Sequence, residues 1–259
     1  MHKIQKLTAI LLACSISALS QSESASSKKE SLIWAEEFNY KGVPDPSKWD
    51  YEEGFVRNNE KQYYTKSRLE NAYVKGGNLT IESRKEQYKN ANYTSASINT
   101  LGKQSFSGDF RIEVRAKLPS GKGIWPAIWM MGDNIAKVGW PKCGEFDIME
   151  FVGQTPNTVH ANIHWYDSLK SAKTSKGSKT ERKDLHKKFH IYGLERKGDS
   201  ISIFIDDESY LSVKADATAY KGSFSNPLYL LINTAIGGDW GGEIDDSIFP
   251  QKYYIDYIR

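Results

Sequence analysis

The strongest constraint on the fold of this chain is a run of acidic and apolar residues from Glu145 to Glu150. Three carboxylates fall within this run, with the spacing Glu-x-Asp-x-x-Glu, and the side chains between them are apolar, as in a buried strand. Burying a charge without a partner costs free energy. A strand that carries three such groups is therefore expected to use them.

The spacing of the acids predicts an irregular strand. In a regular strand, residues i, i+2 and i+4 point to the same face. Glu145 and Asp147 therefore share a face, but the next position on it is Met149, and the third acid is Glu150. One extra residue, a β-bulge, would bring Glu150 back to the face of the other two.

Two glutamates on one strand face, with an aspartate between them, suit a retaining glycosidase. That chemistry needs two carboxyl groups about 5–5.5 Å apart, one as nucleophile and one as acid/base. The middle aspartate would hydrogen-bond to a neighbouring glutamate and keep the two pKa values apart. A metal site would usually bring a histidine, a second acidic cluster or a helix-borne pair, and a charged edge strand would carry lysines. The pattern favours the catalytic interpretation.

Length and composition are those of one large β domain. The chain has 259 residues, enough for a full core. Its net charge of +3 arises from interspersed acids and bases, which gives no indication of a nucleic-acid partner. Aromatic residues make up 12% of the chain, which suits both a sandwich core and a cleft whose rings lie flat on sugars.

Short alternating segments, separated by turn residues, run through most of the chain. No long segment has the 3.6-residue period of a helix, and no internal repeat is evident. This pattern predicts an all-β sandwich or barrel. The Lys-, Ser- and Thr-rich stretch 168–183 is predicted to be a solvated loop or a strand edge. Strand candidates are the alternating apolar positions in 79–81, 110–118, 201–205 and 254–259.

The N-terminal residues have the pattern of an export signal. Lys3 and Lys6 precede the apolar residues 7–13, a segment too short to span a membrane permanently. Its Leu-Leu-Ala-Cys ending resembles a bacterial lipoprotein signal, with Cys14 as the lipidated first residue, and ordinary cleavage near Ser20 is the alternative. The expected organisation is a signal peptide at 1–13, a flexible Ser-rich tether at 14–30 and a glycoside hydrolase catalytic domain at 31–259.

These features predict an exported protein, anchored by lipid in a membrane at the cell surface or in the periplasm of a bacterium. If Cys14 carries lipid, the second cysteine, Cys143, has no disulfide partner. No nearby pattern supplies a base for a reactive thiol, so we expect Cys143 to be a small packing residue beside Glu145. The chain is expected to be a monomer.

From Phe38 to its end, the chain carries further motifs and resembles glycoside hydrolase family 16, in particular the laminarinase and mixed-linkage β-glucanase members. The bulged, Met-containing form of the acid motif is that of the laminarinase type. The matching motifs, in chain order, are Asn-Asn-Glu-Lys-Gln-Tyr-Tyr-Thr at 58–65, Glu-Val-Arg-Ala-Lys-Leu-Pro at 113–119, Trp-Pro-Ala-Ile-Trp-Met at 125–130, Gly-Trp-Pro at 139–141, the acid motif at 145–150, His-Trp at 164–165 and Asn-Thr-Ala-Ile-Gly-Gly-Asp-Trp at 233–240.

The resemblance implies a fold, a reaction and a set of roles. The fold is a β-jelly-roll sandwich of two antiparallel sheets with a concave substrate cleft. The reaction is endo-acting hydrolysis of β-1,3/1,4 mixed-linkage glucan, of β-1,3-glucan (laminarin) or of both, by a retaining double displacement that needs no cofactor. Glu145 is then the nucleophile, Asp147 the assisting acid and Glu150 the acid/base.

The resemblance also implies binding residues around these acids. For the tryptophans the alternative role is core packing, and for the histidine it is a structural hydrogen bond. Many relatives have an arginine where this chain has Ser97, so a sugar contact or a structural contact is lost or replaced there. The substrate-binding candidates are Asn58, Glu60, Trp125, Trp129, Trp140, His164, Asn233 and Trp240.

A structural calcium ion is a further implication of the resemblance. Glu37 and Asp256, near the two ends of the domain, resemble the family's calcium position on the convex face, together with a backbone carbonyl around Gly77. Such an ion would tie the terminal strands together and take no part in catalysis.

Three other functions fit the same fold. One is an endohydrolase of another polysaccharide, such as agar or carrageenan, and a sulfated substrate would favour extra arginines or lysines in the cleft. A transglycosylase would share the covalent intermediate but pass the sugar to another glycan. A non-catalytic glucan-binding protein would be expected to lack one catalytic glutamate, whereas this chain has both Glu145 and Glu150.

Overall fold

The computed structural model describes residues 31–215 and 219–259, and Ile33–Arg259 is one compact unit. Strands dominate the described residues, and the helical segments are at most about one turn long. The predicted signal peptide, the tether and Cys14 lie outside the described residues. No helix in the described part of the chain is long and apolar enough to cross a membrane.

The secondary structure consists of sixteen strands and four short helical segments in the described residues. The strands are β1 (Asp50–Tyr51), β2 (Gln62–Tyr64), β3 (Ala72–Lys75), β4 (Asn78–Tyr88), β5 (Ala91–Ser95), β6 (Ser97–Asn99), β7 (Phe110–Lys117), β8 (Ile124–Gly132), β9 (Glu145–Glu150), β10 (Thr158–Asp167), β11 (Ala172–Glu181), β12 (His190–Lys197), β13 (Ser200–Ile205), β14 (Glu208–Lys214), β15 (Leu228–Ile236) and β16 (Gln251–Ile258). The helical segments are α1 (Ile135–Val138), α2 (Lys221–Ser225), α3 (Gly238–Gly241) and a 3-10 turn (Asp246–Ile248).

Two sheets form the fold. One has seven strands in the order β1-β6-β15-β8-β9-β10-β11, and the other has nine, in the order β14-β13-β12-β7-β16-β4-β5-β2 with β3 paired to β4. The paired strands run antiparallel, with the exception of β2 and β5. The predicted all-β sandwich of two antiparallel sheets is confirmed. The polar stretch 168–183 contains β11, which is an edge strand of the seven-stranded sheet, as the sequence allowed.

Apolar side chains from both sheets fill the space between them. Ile112 and Val114 of β7 are buried and alternate with half-exposed polar residues, as the sequence pattern predicted. They join one continuous core with residues of the seven-stranded sheet, such as Ile128 of β8 and Phe146 of β9. Burying a side chain of this size stabilises the fold by about 1.5–3 kcal/mol, so this core holds the two sheets together.

β9 contains the predicted bulge. Asp147 and Glu150 lie opposite residues of β8 that are only two positions apart, and the pairing of β9 with β10 shows the same shift. The two residues between them, Ile148 and Met149, both belong to the core between the sheets. Glu150 therefore returns to the face of Glu145 and Asp147, as expected for one extra residue in a strand.

The strand register places the acids of β9 in rows that cross the seven-stranded sheet. Side chains that lie opposite each other on neighbouring strands are close enough to interact. Each acid consequently has one neighbour on β8 and one on β10. The rows are Met131–Glu145–His164, Trp129–Asp147–Asn162 and Ala127–Glu150–His160.

Cys143, just before β9, packs in an apolar environment, as the sequence predicted. Its thiol is free and fully buried in a cluster that includes Met131 and Tyr229. Burial raises the pKa of the Cys143 thiol to about 11. The thiol therefore stays protonated at neutral pH and is a poor nucleophile.

Candidate active site

The three acids of β9 lie at the centre of an open cleft over the seven-stranded sheet. The cleft has two adjoining parts, with volumes of about 640 and 340 Å³. The larger part extends over β10 and β11 towards His160 and Lys173, and the smaller part extends over β8 and β15 towards Trp129 and Asn233. The residues common to both parts are Asn58, Trp125, Trp140, Glu145, Asp147 and Glu150.

Glu150, at the C-terminal end of the acid motif, has a raised pKa. The indole N–H of Trp125 donates a hydrogen bond to its side chain, with 3.1 Å between Nε1 and Oε1. Burial raises the pKa of Glu150 well above its usual range, and the charge of Asp147 adds to the rise. The surroundings of Glu150 therefore favour its protonated form, which suits a proton donor.

Glu145, at the other end of the acid motif, has a more polar environment. Burial raises the pKa of Glu145 too, but His164, the indole of Trp140 and two basic side chains act in the opposite direction. Nε2 of His164 lies 3.7 Å from Oε1 of Glu145. Because these groups offset part of the effect of burial, Glu145 ionises before Glu150 and is suited to act as a nucleophile.

Asp147 is the most deeply buried of the three acids. Burial and the neighbouring charge of Glu145 raise the pKa of Asp147 well above its usual range. Its Oδ2 atom lies 3.5 Å from Nε2 of His164, whose own pKa is lowered by burial. The lowered pKa of His164 and the raised pKa of Asp147 both favour the neutral forms of these groups, which limits the charge beside the nucleophile.

These environments separate the two roles that a retaining glycosidase needs. Glu145 and Glu150 share one strand face and differ in their surroundings, with the buried Asp147 between them. Carboxyl groups whose surroundings push their pKa values apart typically divide the roles of acid and base. The site can therefore present a nucleophile and a proton to the same bound glycoside.

A metal centre is a less suitable interpretation of the same residues. Within the described residues, the group that offers three metal-ligand atoms close together is Glu145, Asp147 and His164, whose atoms lie within 4.8 Å of one another. A metal-binding histidine usually donates its second ring N–H to an acceptor. Nδ1 of His164 is buried and has no hydrogen-bond partner in the part of the chain that the structure describes.

Tryptophans predicted to bind sugars border the cleft. Trp140 is 45% exposed, and Nζ of Lys173 lies 4.9 Å from the centre of its ring. Trp125 and Trp240 meet edge to face, with ring centres 5.4 Å apart. An exposed indole face can stack on the apolar face of a sugar. Trp140 is thus placed to hold a substrate, while Trp125 also holds Glu150.

Trp129 is nearly buried, but a chain of hydrogen bonds connects it to the other predicted cleft residues. Its Nε1 donates to Oδ1 of Asn233 over 2.8 Å, and the Asn233 amide donates to the hydroxyl of Tyr64. That hydroxyl donates to Glu60, which also accepts a hydrogen bond from Asn58. The side chains along the smaller part of the cleft therefore form one connected network, which restricts their rotation.

Arg57 is a cleft residue that no sequence motif indicated. Its guanidinium lies 4.9 Å from the centre of the Trp129 ring and pairs with Glu52. The hydroxyl of Ser97, at the position where many relatives have arginine, donates to the same glutamate over 2.6 Å. Ser97 therefore makes a structural contact, and the cation on this side of the cleft comes from Arg57.

Tyr210 reaches the bulge from the opposite sheet. It lies on β14, and its hydroxyl donates to the carbonyl oxygen of Ile148 over 2.7 Å, although the two residues are 62 positions apart. A bulge interrupts the hydrogen bonds between strands, and a buried carbonyl without a partner costs about 1–3 kcal/mol. Tyr210 therefore stabilises the backbone conformation that directs Glu150 into the cleft.

The predicted calcium ligands do not fit an ion as they are arranged. The carboxylate of Glu37 accepts two hydrogen bonds from Arg259, of 2.8 and 3.1 Å, and Asp256 pairs with Arg115. Gly77 lies in the turn before β4. A guanidinium beside each carboxylate opposes the binding of another cation. The Glu37–Arg259 pair itself ties the beginning of the domain to its last residue.

Comparisons with known proteins agree with this geometry. The model of the glycosyl hydrolases family 16 matches residues 59–259. A beta-glucanase of Rhodothermus marinus is 39% identical in an alignment of 271 positions, which covers 100% of this chain and 94% of the relative. A glucan endo-1,3-beta-glucosidase of Cryptopygus antarcticus is 32% identical, covering 88% of this chain and 90% of the relative. The X-ray structure of the laminarinase from Rhodothermus marinus superposes with a TM-score of 0.80 and 41% identity, over 88% of this chain and 95% of that one.

We expect Tyr210→Phe to lower kcat for glycoside hydrolysis roughly 10-fold, with a smaller change in KM, because Glu150 loses part of its positioning. The basic limb of the pH–rate profile should also move to lower pH. A looser strand admits water and reduces the burial that raises the pKa of Glu150. Steady-state kinetics across the pH range measure both effects.

Tyr192→Phe is the matched control for that experiment. Tyr192 lies in the core, and its hydroxyl has no hydrogen-bond partner among the residues described. The control should keep the wild-type kcat and pH profile. If Tyr210→Phe behaved like Tyr192→Phe, its hydroxyl would have no part in positioning Glu150.

Glu150→Gln should raise the melting temperature at neutral pH. Because the folded protein raises the pKa of Glu150 above the usual 4.5 of a glutamate, the wild type loses stability as the pH rises from the unfolded to the folded pKa. The glutamine amide does not titrate. The difference in melting temperature between the variant and the wild type should therefore grow as the pH rises above about 4 and disappear at lower pH. Thermal melts across this range, with Glu243→Gln at an exposed carboxylate as control, measure the difference. Equal melting temperatures at neutral pH would contradict the raised pKa of Glu150.

Proposed function

The chain belongs to the glycosyl hydrolases family 16, and on this basis we propose that it is an endo-acting β-glucanase. It cuts internal bonds of β-1,3-glucan (laminarin), of mixed-linkage β-1,3/1,4-glucan, or of both. The observation that carries this proposal is the set of three carboxyl groups on one face of a bulged strand, in surroundings that raise the pKa of Glu150 further than that of Glu145. Relatives named as a beta-glucanase, a glucan endo-1,3-beta-glucosidase and a laminarinase support the substrate class.

The reaction proceeds in two steps. Glu145 attacks the anomeric carbon while Glu150 protonates the glycosidic oxygen, so the bond to the leaving sugar breaks and an ester forms between the glycosyl group and Glu145. Glu150, now ionised, takes a proton from water, which attacks the same carbon and releases Glu145. The two inversions give net retention of the β configuration.

The electrostatics of the site suit this change of roles. The charge of Glu145 contributes to the raised pKa values of both Asp147 and Glu150. Formation of the ester removes that charge, so the pKa of Glu150 falls when it must act as a base. Asp147, between the two, adjusts these pKa values without bonding to the sugar.

A second candidate is the hydrolysis of a sulfated or otherwise anionic polysaccharide. Lys173 and Lys179 border the larger part of the cleft, and both are exposed. Basic side chains bind sulfate groups through charge-assisted hydrogen bonds. A transglycosylase would use the same ester on Glu145 and differ only in the acceptor, which product analysis distinguishes.

We also propose that the protein is exported and anchored by lipid on Cys14. A glucan polymer does not enter cells intact, so an endo-acting enzyme is useful outside the cytoplasm. The polar tether at 14–30 would hold the domain away from the membrane, and acyl chains contribute about 0.8 kcal/mol per buried CH₂. A monomeric state also remains a prediction.

Structural calcium at Glu37, Gly77 and Asp256 stays a prediction of the family resemblance. An ion there would have to displace Arg259 and Arg115 from the two carboxylates. The proposed mechanism uses no metal and no other cofactor.

Glu145→Gln and Glu150→Gln should each reduce hydrolysis of laminarin by at least about 1,000-fold, because nucleophile and acid/base act as a unit. Asp147→Asn should cost less, since Asp147 does not react with the sugar. Rates of the purified variants test this, with circular dichroism as the control for folding. Near-normal turnover by Glu145→Gln would mean that the nucleophile is another residue.

Hydrolysis should release the β-anomer first, because the mechanism retains configuration. Proton NMR of the earliest products distinguishes it from the α-anomer, whose appearance would indicate an inverting mechanism. Product analysis on laminarin, mixed-linkage glucan, cellulose, agarose and carrageenan, side by side, tests the substrate class. Shortening of carrageenan but of neither glucan would favour the second candidate, and longer products would indicate transglycosylation.

Cys14→Ala should block maturation or release soluble enzyme, because the acyl chains that hold the protein in the membrane are lost. Fractionation of bacteria that express the wild type and the variant measures the distribution. A soluble wild-type enzyme that begins near Gln21 would instead indicate ordinary secretion.

A further inference from the structure

Phe55 is an aromatic residue outside the cleft, and its side chain is about as exposed as that of Trp140 in the cleft. Phe55 is 50% exposed, compared with 45% for Trp140. A single exposed apolar side chain is normal on a protein surface and needs no explanation by itself. Phe55, however, borders a second concave site.

This second site, the outer groove, has a volume of about 420 Å³. That volume lies within the range of small-ligand sites, which combine apolar surfaces with a few placed polar groups. The outer groove combines two aromatic rings with three side-chain amides, one lysine and one glutamate. Apart from Glu60 and Ala91, the residues that line it are Phe55, Asn59, Lys61, Asn90, Asn92 and Tyr93.

The outer groove and the catalytic cleft share a wall. Asn58 borders both parts of the cleft, and the next two residues, Asn59 and Glu60, border the outer groove. Glu60 borders the smaller part of the cleft as well. The catalytic cleft and the outer groove therefore adjoin the same short segment, residues 58–60.

The wall itself is firmly held by α3 and the turn before it. Nδ2 of Asn59 donates to the carboxylate of Asp239 over 2.8 Å, and the Asp239 N–H donates to the carbonyl oxygen of Asn58 over 2.9 Å. Gly238, with a φ of +76°, comes so close that a Cβ there would lie 2.6 Å from the same carbonyl oxygen. This contact requires glycine, and it keeps the relative position of cleft and outer groove constant.

Both aromatic rings of the outer groove are held in place before any ligand binds. Phe55 packs edge to face against Tyr63, with ring centres 5.9 Å apart. The hydroxyl of Tyr93 donates to Asp246 over 2.6 Å, and its ring packs on Phe249 at 5.4 Å. Rings that are already ordered lose little conformational freedom on binding.

The polar groups of the outer groove suit a neutral ligand rich in hydroxyl groups. Asn59, Asn90 and Asn92 are exposed, and side-chain amides both donate and accept hydrogen bonds, as sugar hydroxyls do. Lys61 is the single basic residue that borders the outer groove. Anionic groups are typically bound by arginines or by several charges together, so a neutral glycan fits better.

We propose that the outer groove is a distal binding site for glucose residues of the same β-glucan chain that the cleft cuts. Phe55 supplies an apolar surface for a sugar ring, and Asn59 and Asn92 supply hydrogen bonds to its hydroxyls. The inference rests on the proposed function, because it identifies the ligand with the substrate chain. Its consequence is a preference for long chains over short ones.

Phe55→Ala tests the proposal, because a half-exposed side chain can be removed without opening the core. The assay measures kcat/KM on β-1,3-gluco-oligosaccharides from the trisaccharide to about ten units. In the wild type, kcat/KM should rise with length until the chain fills both sites. In Phe55→Ala the rise should end earlier, and the ratio between the longest and the shortest substrate should fall roughly 3–10-fold.

Leu169→Ala is the matched control, since Leu169 is 80% exposed and borders neither the cleft nor the outer groove. Asn92→Ala should reproduce part of the effect of Phe55→Ala. Identical length profiles for Phe55→Ala and Leu169→Ala would overturn the distal site while the wild-type activity still supports the proposed function. An equal loss at every length would also overturn it, because it would indicate a general disturbance of the site. A wild type that cleaves none of these substrates, nor laminarin or mixed-linkage glucan, would contradict the proposed function itself.

Discussion

One extra residue in β9 determines which side chains reach the cleft. In an unbulged strand, Glu150 would point into the core and Met149 into the cleft, because side chains alternate between faces. A carboxylate between the sheets would have no partner, and its burial would cost several kcal/mol. With the bulge, Ile148 and Met149 both pack in the core. Burial of apolar surface and presentation of the acids thus select the same register.

The bulge creates a second requirement, which the opposite sheet meets. Bulged backbone loses regular hydrogen bonds, and here Tyr210 supplies one to Ile148 across the sandwich. The charge of Glu145 also raises the pKa values of Asp147 and Glu150. Trp140 and His164 lower the pKa of Glu145, and Trp125 lowers that of Glu150. Three acids close together on β9 therefore destabilise the folded protein, and the apolar core on the other side of β9 offsets this cost. Such local instability is common where a site must hold reactive groups in place.

Much of the architecture was predictable because it depends on periodicity and local spacing. Alternating apolar residues predicted strands such as β7 and β13, and the displaced third acid predicted the bulge. The contacts of Arg57 and Tyr210 were not predictable, because each depends on residues that the fold brings together from distant positions. For the expected calcium ligands, the structure shows arginine partners that no local pattern indicated. A motif specifies residue types in order, but it does not specify which other charges will surround them.

The sequence by itself determined the strand pattern, the common face of Glu145, Asp147 and Glu150, and the family of the fold, since all of these follow from order and spacing along the chain. Only the tertiary structure decided how the surroundings of Glu145 and Glu150 differ, and therefore which of the two suits the role of acid. That choice depends on burial and on neighbours contributed by β8, β10 and the loop at Trp140. Tertiary packing also decided that the segment at Asn58 separates two adjoining sites, because α3 holds it from a part of the chain about 180 residues away. The pKa of an acid and the boundary between two sites both depend on several strands and loops packed together. Neither can be deduced from one strand alone.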